Sequence, residues 1–182
     1  MKSALAVVLL GLAALIVQGA LARTFPPPWC PDLAWLVVVG VGLRWPGFLS
    51  GLLVALGLGF AADLVSGSLM GQHALMRLVT FFAAAVAARQ LDLSGGVPIT
   101  IFVFGMTFVY GLAIVSTLSF FVGSGGIGLD FFGSATAFAI VNVLAAGPMI
   151  VLVERVLARF SDEEAARRAP LPIGYRPRGS LG

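Results

Sequence analysis

Residues 59–78 read GFAADLVSGSLMGQHALMRL, and they place Asp63, His73 and Arg77 inside one of the most apolar parts of the chain. The chain has 182 residues, of which 59% are hydrophobic and 10% charged, and its mean hydropathy is +1.05. A soluble domain carries about 25% charged residues, and no globule of this size could hide so much apolar surface from water. The expected solvent is therefore lipid, and three ionisable groups within fifteen positions need a reason to be there. Charged groups at depth in a bilayer are costly, so they turn toward a bundle interior and pair.

Working outward from this stretch, Gly67 to Gly71 reads as a tight turn between two apolar segments. A crossing helix needs about 20 apolar residues. On that measure the spans are expected at about 3–22, 31–43, 47–66, 70–89, 97–122 and 133–157, forming one six-helix transmembrane bundle over 1–160. Triple Pro26–Pro28 cannot continue a helix. Pro31 suits the first turn of the second segment, with Asp32 at its positive end. That segment is short for a crossing. Pro148 is an expected kink in the sixth.

Ala20-Leu21-Ala22 has the spacing of a signal-peptidase site. The apolar stretch before it exceeds the usual signal core, so it is read as a retained span. The tail, 161–182, is basic and rich in Pro and Arg. Ser161 and Glu164 have capping-box spacing for one or two helical turns before Pro170, and the rest is expected to be disordered.

Six of the eleven basic residues fall between Arg155 and Arg178. Beside a membrane such a cluster meets anionic headgroups or a partner rather than nucleic acid. With both termini cytoplasmic, that side holds Lys2, Arg44, Arg89 and the six tail arginines, against Arg23 alone outside. A multi-pass membrane protein with both termini on the cytoplasmic side is therefore expected. Cys30 is the single cysteine, which excludes an internal disulfide.

In the third segment, Gly47, Gly51, Ala55, Gly59, Asp63 and Gly67 recur every fourth residue. Small residues at that spacing let another backbone approach closely. The row serves either internal packing or a groove for a partner's transmembrane helix. Beyond the turn, His73 and Arg77 share a face, and counting from the turn puts Arg77 level with Asp63. An Asp63–Arg77 ion pair is expected, acting as a clamp between the two helices, as a partner-contact or switch site, or in proton or solute handling. Ser66 and Ser68 near His73 lack the orienting group and oxyanion site of a hydrolase. No metal-ligand cluster or phosphate loop is visible, so no cofactor is expected. Gln18 and Asn142 read as interhelical hydrogen bonds, and Trp29, Trp35 and Trp45 as interface anchors.

The stretch Pro31 to Leu78 resembles the rod shape-determining protein MreD family. The resemblance is carried by Pro31-Asp32, by Gly47 and Gly51, and by Asp63, Leu64, Ser66, Gly67, Gly71, His73, Ala74 and Leu75. It implies a non-enzymatic subunit of the elongasome, the bacterial machine that lengthens the lateral wall. Implied partners are MreC, the actin-like MreB, the glycosyltransferase RodA and its class B transpeptidase. A fold similar to the substrate-binding subunits of energy-coupling-factor transporters is also implied. The alternative is a substrate-binding subunit for a small, vitamin-type solute, with Asp63, His73 and Arg77 facing a pocket.

Overall fold

A computed structural model describes residues 2–67, 69–91, 96–123 and 128–168, without the side chains at 118, 122, 129 and 161–168. The expected disorder beyond Pro170 lies outside the described residues. Every regular element among them is helical: α1 (Lys2–Leu21), α2 (Leu33–Arg44), α3 (Phe48–Ser66), α4 (Gln72–Gln90), α5 (Gly96–Val122) and α6 (Leu129–Arg168). By length and composition, α1, α3, α5 and α6 suffice to cross a membrane.

The sequence LAWLVVVGVGLR gives α2 no polar face, and a helix apolar all round belongs in an interior. Residues 34–43 are all buried, and α2 packs against α1, α3, α4 and α6. Its 12 residues extend only about 18 Å, against roughly 30 Å of hydrocarbon. α2 is the core around which the longer helices stand. Those helices turn large apolar side chains outward, among them Leu5, Leu9 and Ile16 of α1, Leu49 and Leu64 of α3, and Ile101 of α5. Lipid accepts such a surface, whereas water would drive it to aggregate.

The small-residue row of α3 packs against α4. A Cβ on Gly59 would lie 2.3 Å from Ala74 Cα and 2.9 Å from its backbone nitrogen, so two backbones touch there. A Cβ on Gly51 would meet the Phe81 ring at 2.7 Å, and Ala55 is fully buried. From Gly51 to Gly59 the row is thus filled from within the chain, the internal-packing arrangement of the two expected, while a Cβ on Gly67 would meet nothing within 4 Å.

Three further expectations change. Trp35 is 1% exposed and donates from Nε1 to Thr80 Oγ1 at 2.9 Å, so it is a core residue rather than an interface anchor. Asp32 is itself the N-cap of α2, accepting from the Trp35 amide at 2.9 Å, and Pro31 lies outside the helix. The sixth segment, expected to end near 157, continues through Ser161 to Arg168, so the helical turns expected before Pro170 are an extension of α6 and not a separately capped start. Near the opposite end of α2, Arg44 Nε meets Glu154 Oε1 of α6 at 2.6 Å.

Candidate functional site

The site begins where α3 stops. Gly67 closes the helix with φ 63° and Gly71 opens α4 with φ 89°, left-handed values that cost glycine nothing and other residues strain. Gly71 occupies the N-cap position of α4 but has no side chain to cap with. The first amides of a helix need acceptors, and Asp63 supplies most of them from the preceding helix. Its Oδ2 accepts from the Gly71 amide at 3.0 Å and the Ala74 amide at 3.2 Å, and its Oδ1 from the His73 amide at 2.8 Å. The Gln72 amide goes to Leu69 O at 3.0 Å. All four opening amides of α4 are accounted for.

His73 Nδ1 lies 3.0 Å from Asp63 Oδ1. An ionised carboxylate only accepts, so the hydrogen-bond network assigns the imidazole proton to Nδ1. Asp63 is 1% exposed. Its charge is tolerated because it faces the positive end of α4 and accepts four hydrogen bonds there. The short S-G-S-L-M-G connection and Asp63 one turn earlier are what bring carboxylate and helix end together.

Arg77, also 1% exposed, does not pair with Asp63 as expected. Its Nη2 is 3.6 Å from Asp32 Oδ1, and its Nη1 donates to Leu58 O. The reason is the third element. α4 carries Arg77 one turn past His73, level with the first turn of α2, where the Asp32 carboxylate caps a second helix. Asp63 is already saturated by amides. Arg77 thereby links α2, α3 and α4, while its Nε has no hydrogen-bond partner among the described residues.

Asp32 also ties in α6 and α5. Its amide donates to Asn142 Oδ1 at 2.9 Å, and Asn142 Nδ2 reaches Thr107 Oγ1 at 3.5 Å. Gln18 Oε1 accepts from the Ala34 amide at 3.5 Å. The expected interhelical roles of Asn142 and Gln18 are both seen. Each of the two interior carboxylates therefore caps one helix, and one guanidinium joins three.

Of the residues singled out in the sequence, Asp63, Gly67, Gly71 and His73 converge on the α3–α4 hairpin. Ser66 borders it, with Oγ donating to Asp63 O at 3.4 Å. Arg77 belongs to the Asp32 cluster. Thr80 and Tyr110 were not legible as members of this interior. The Tyr110 ring meets that of Trp35 at 5.8 Å between centroids, tilted by 46°, and only the placement of α5 beside α2 reveals it. Among the described residues no group of three His, Cys, Asp or Glu could hold a metal.

Beside the hairpin lies a cavity of about 510 Å³. It is bounded by the end of α1, the 27–32 segment, His73 of α4, and the facing sides of α5 and α6. Among the described residues, fold and site define a helical bundle with four helices long and apolar enough to cross a membrane, and within its apolar core a small polar cluster built on helix caps. Comparison with protein-family models, curated proteins and solved structures finds no match to this chain.

Proposed function

We propose that the chain is a non-enzymatic, six-span scaffold subunit of the bacterial elongasome, of the MreD type. In this reading it sits in the inner membrane with both termini cytoplasmic, binds MreC, and helps position lateral wall synthesis. One observation carries the proposal. The motif behind the resemblance commits its polar and glycine residues to building a hairpin: Asp63 caps α4, Gly67 and Gly71 turn the chain, and His73 donates to Asp63. A motif kept for architecture suits a part whose task is to hold its shape against partners. The basic residues Lys2, Arg44 and Arg89 and those of the tail support the orientation. Because α4 occupies the small-residue row, the single helix of MreC would meet a different face.

Depletion of the chain in a rod-shaped host is expected to give rounded, swollen cells with mislocalised wall insertion, scored by microscopy with a fluorescent wall label. Unchanged rods would count against the scaffold.

The cavity favours a second reading, a solute-binding transporter subunit. Of the three residues expected to face a pocket, only His73 lines it, joined by Asp32. Saturable solute uptake dependent on the chain distinguishes this reading from the first.

A further inference from the structure

We propose that the small cavity where α2 and α4 end and α3 begins binds the phosphate of an anionic phospholipid, whose chains lie on the outer face of α4. This rests on the chain spanning a membrane in the orientation given above. It holds whether the chain is a scaffold or a solute-binding subunit, and a test made in detergent depends on neither.

The two helices build the site. α2 and α4 run in the same direction, since Asp32 at the start of α2 faces Arg77 and Gly42 near its end faces Ala84. Gly42 keeps them close: a Cβ there would fall 2.6 Å from Ala84 Cβ and 2.9 Å from Phe81 O. Each helix carries an arginine in its last turn, Arg44 and Arg89. The chain turns back through Trp45-Pro46-Gly47 into α3, and between these three helix ends lies a cavity of about 250 Å³.

Charge selects an anion. Arg44 and Arg89 both lie in the wall, and none of the wall residues is acidic. Glu154, outside the wall, pairs with Arg44 through Nε. A guanidinium has five N–H donors in a fork that matches phosphate oxygens, so one pair does not exhaust Arg44. Arg89 makes no ion pair among the described residues. With Glu154 counted, the site keeps a single positive charge, which a phosphodiester balances. The carbonyl ends of α2 and α4 alone would repel an anion, and the two arginines reverse that. α3 opens in the same wall at Phe48, and its N-cap Gly47 has no capping side chain, so the first amides add donors.

Depth selects a lipid. This is the cytoplasmic end of the bundle, where half-buried Trp45 donates from Nε1 to Ser50 Oγ at 2.8 Å and serves as the expected interface anchor. Basic pockets between transmembrane helices at that level suit lipid headgroups. From there α4 turns Val86, Phe82, Val79 and Leu75 outward along one face. Phe48 of the wall meets Phe82 with ring centroids 6.2 Å apart, so an acyl chain leaving the cavity past Phe48 reaches this strip. A choline headgroup would instead bring a cation beside two arginines.

The full chain in detergent is titrated with short-chain phosphatidylglycerol or phosphatidylcholine, and bound lipid is counted by native mass spectrometry. One phosphatidylglycerol is expected to bind saturably, at a concentration about five-fold lower than phosphatidylcholine, the ratio one basic residue gives at a membrane surface. Arg89 is exposed, so Arg89→Gln keeps the fold, and it should weaken phosphatidylglycerol binding by about ten-fold, as loss of a charge-assisted hydrogen bond does. Arg176→Gln removes the same charge from the tail and should leave that binding unchanged. Inorganic phosphate at the same concentrations should not displace the lipid, because it makes no contact with the α4 strip.

No saturable binding, equal binding of the two lipids, an Arg89→Gln chain that binds as the parent does, or an equal loss with Arg176→Gln would each overturn the proposal. Displacement by inorganic phosphate would overturn the lipid as occupant and mark a free-phosphate site.

Discussion

Replacing Asp63 with alanine is expected to lower unfolding stability by about 3–5 kcal/mol, because three helix-opening amides and the His73 ring lose their acceptor at once in a buried site. No neighbouring side chain stands in, since Gly71 at the N-cap has none. The Asn variant should fall between, as a carboxamide keeps one acceptor oxygen but loses the charge that complements the α4 dipole. Thermal unfolding of the detergent-solubilised chain measures the effect. Amide hydrogen exchange at Gly71, His73 and Ala74 locates it, with faster exchange there than at Trp35 on α2. An alanine variant as stable as the parent would mean that Asp63 is held for another purpose.

Gly59→Ala tests the packing of the same hairpin from its other side. The new Cβ would fall 2.3 Å from Ala74 Cα, and backbone cannot rotate aside as a side-chain tip can. α3 and α4 must separate, at a cost of at least about 1–3 kcal/mol. Gly59→Leu is expected to prevent the hairpin from closing. Gly57→Ala, two residues away with nothing within 4 Å of the new Cβ, should stay within about 0.5 kcal/mol of the parent. Unfolding midpoints of the two alanine variants give the comparison directly. Equal midpoints would contradict the backbone contact.

The pattern of apolar runs and breakers made the six helices legible, since Pro26–Pro28, Pro46 and the Gly67–Gly71 turn interrupt the chain where helices cannot continue. The short, uniformly apolar α2 was visible as an anomaly of length. Its place as the central helix was not, because periodicity describes one element at a time. The same limit explains Arg77. Counting along α3 and α4 put it level with Asp63, but its partner came from α2, whose position no spacing within the hairpin encodes. Asp63 was legible as a buried charge needing compensation. That the compensation is a helix N-terminus follows from Gly71 occupying a cap position it cannot fill, a signal present in the residues but read only as a turn. The interior role of Trp35 went unread because a tryptophan near an expected span end resembles an interfacial anchor until its Thr80 partner is seen.

The scaffold reading rests on what the chain holds in the membrane. The most direct measurement is crosslinking in native membranes with a tagged full-length chain, followed by purification and identification of what comes with it. The account predicts recovery of an MreC-type protein, with one transmembrane helix and a periplasmic coiled coil, reduced when Asp63→Ala weakens the hairpin. Recovery of an ATPase module without any such coiled-coil protein would contradict it.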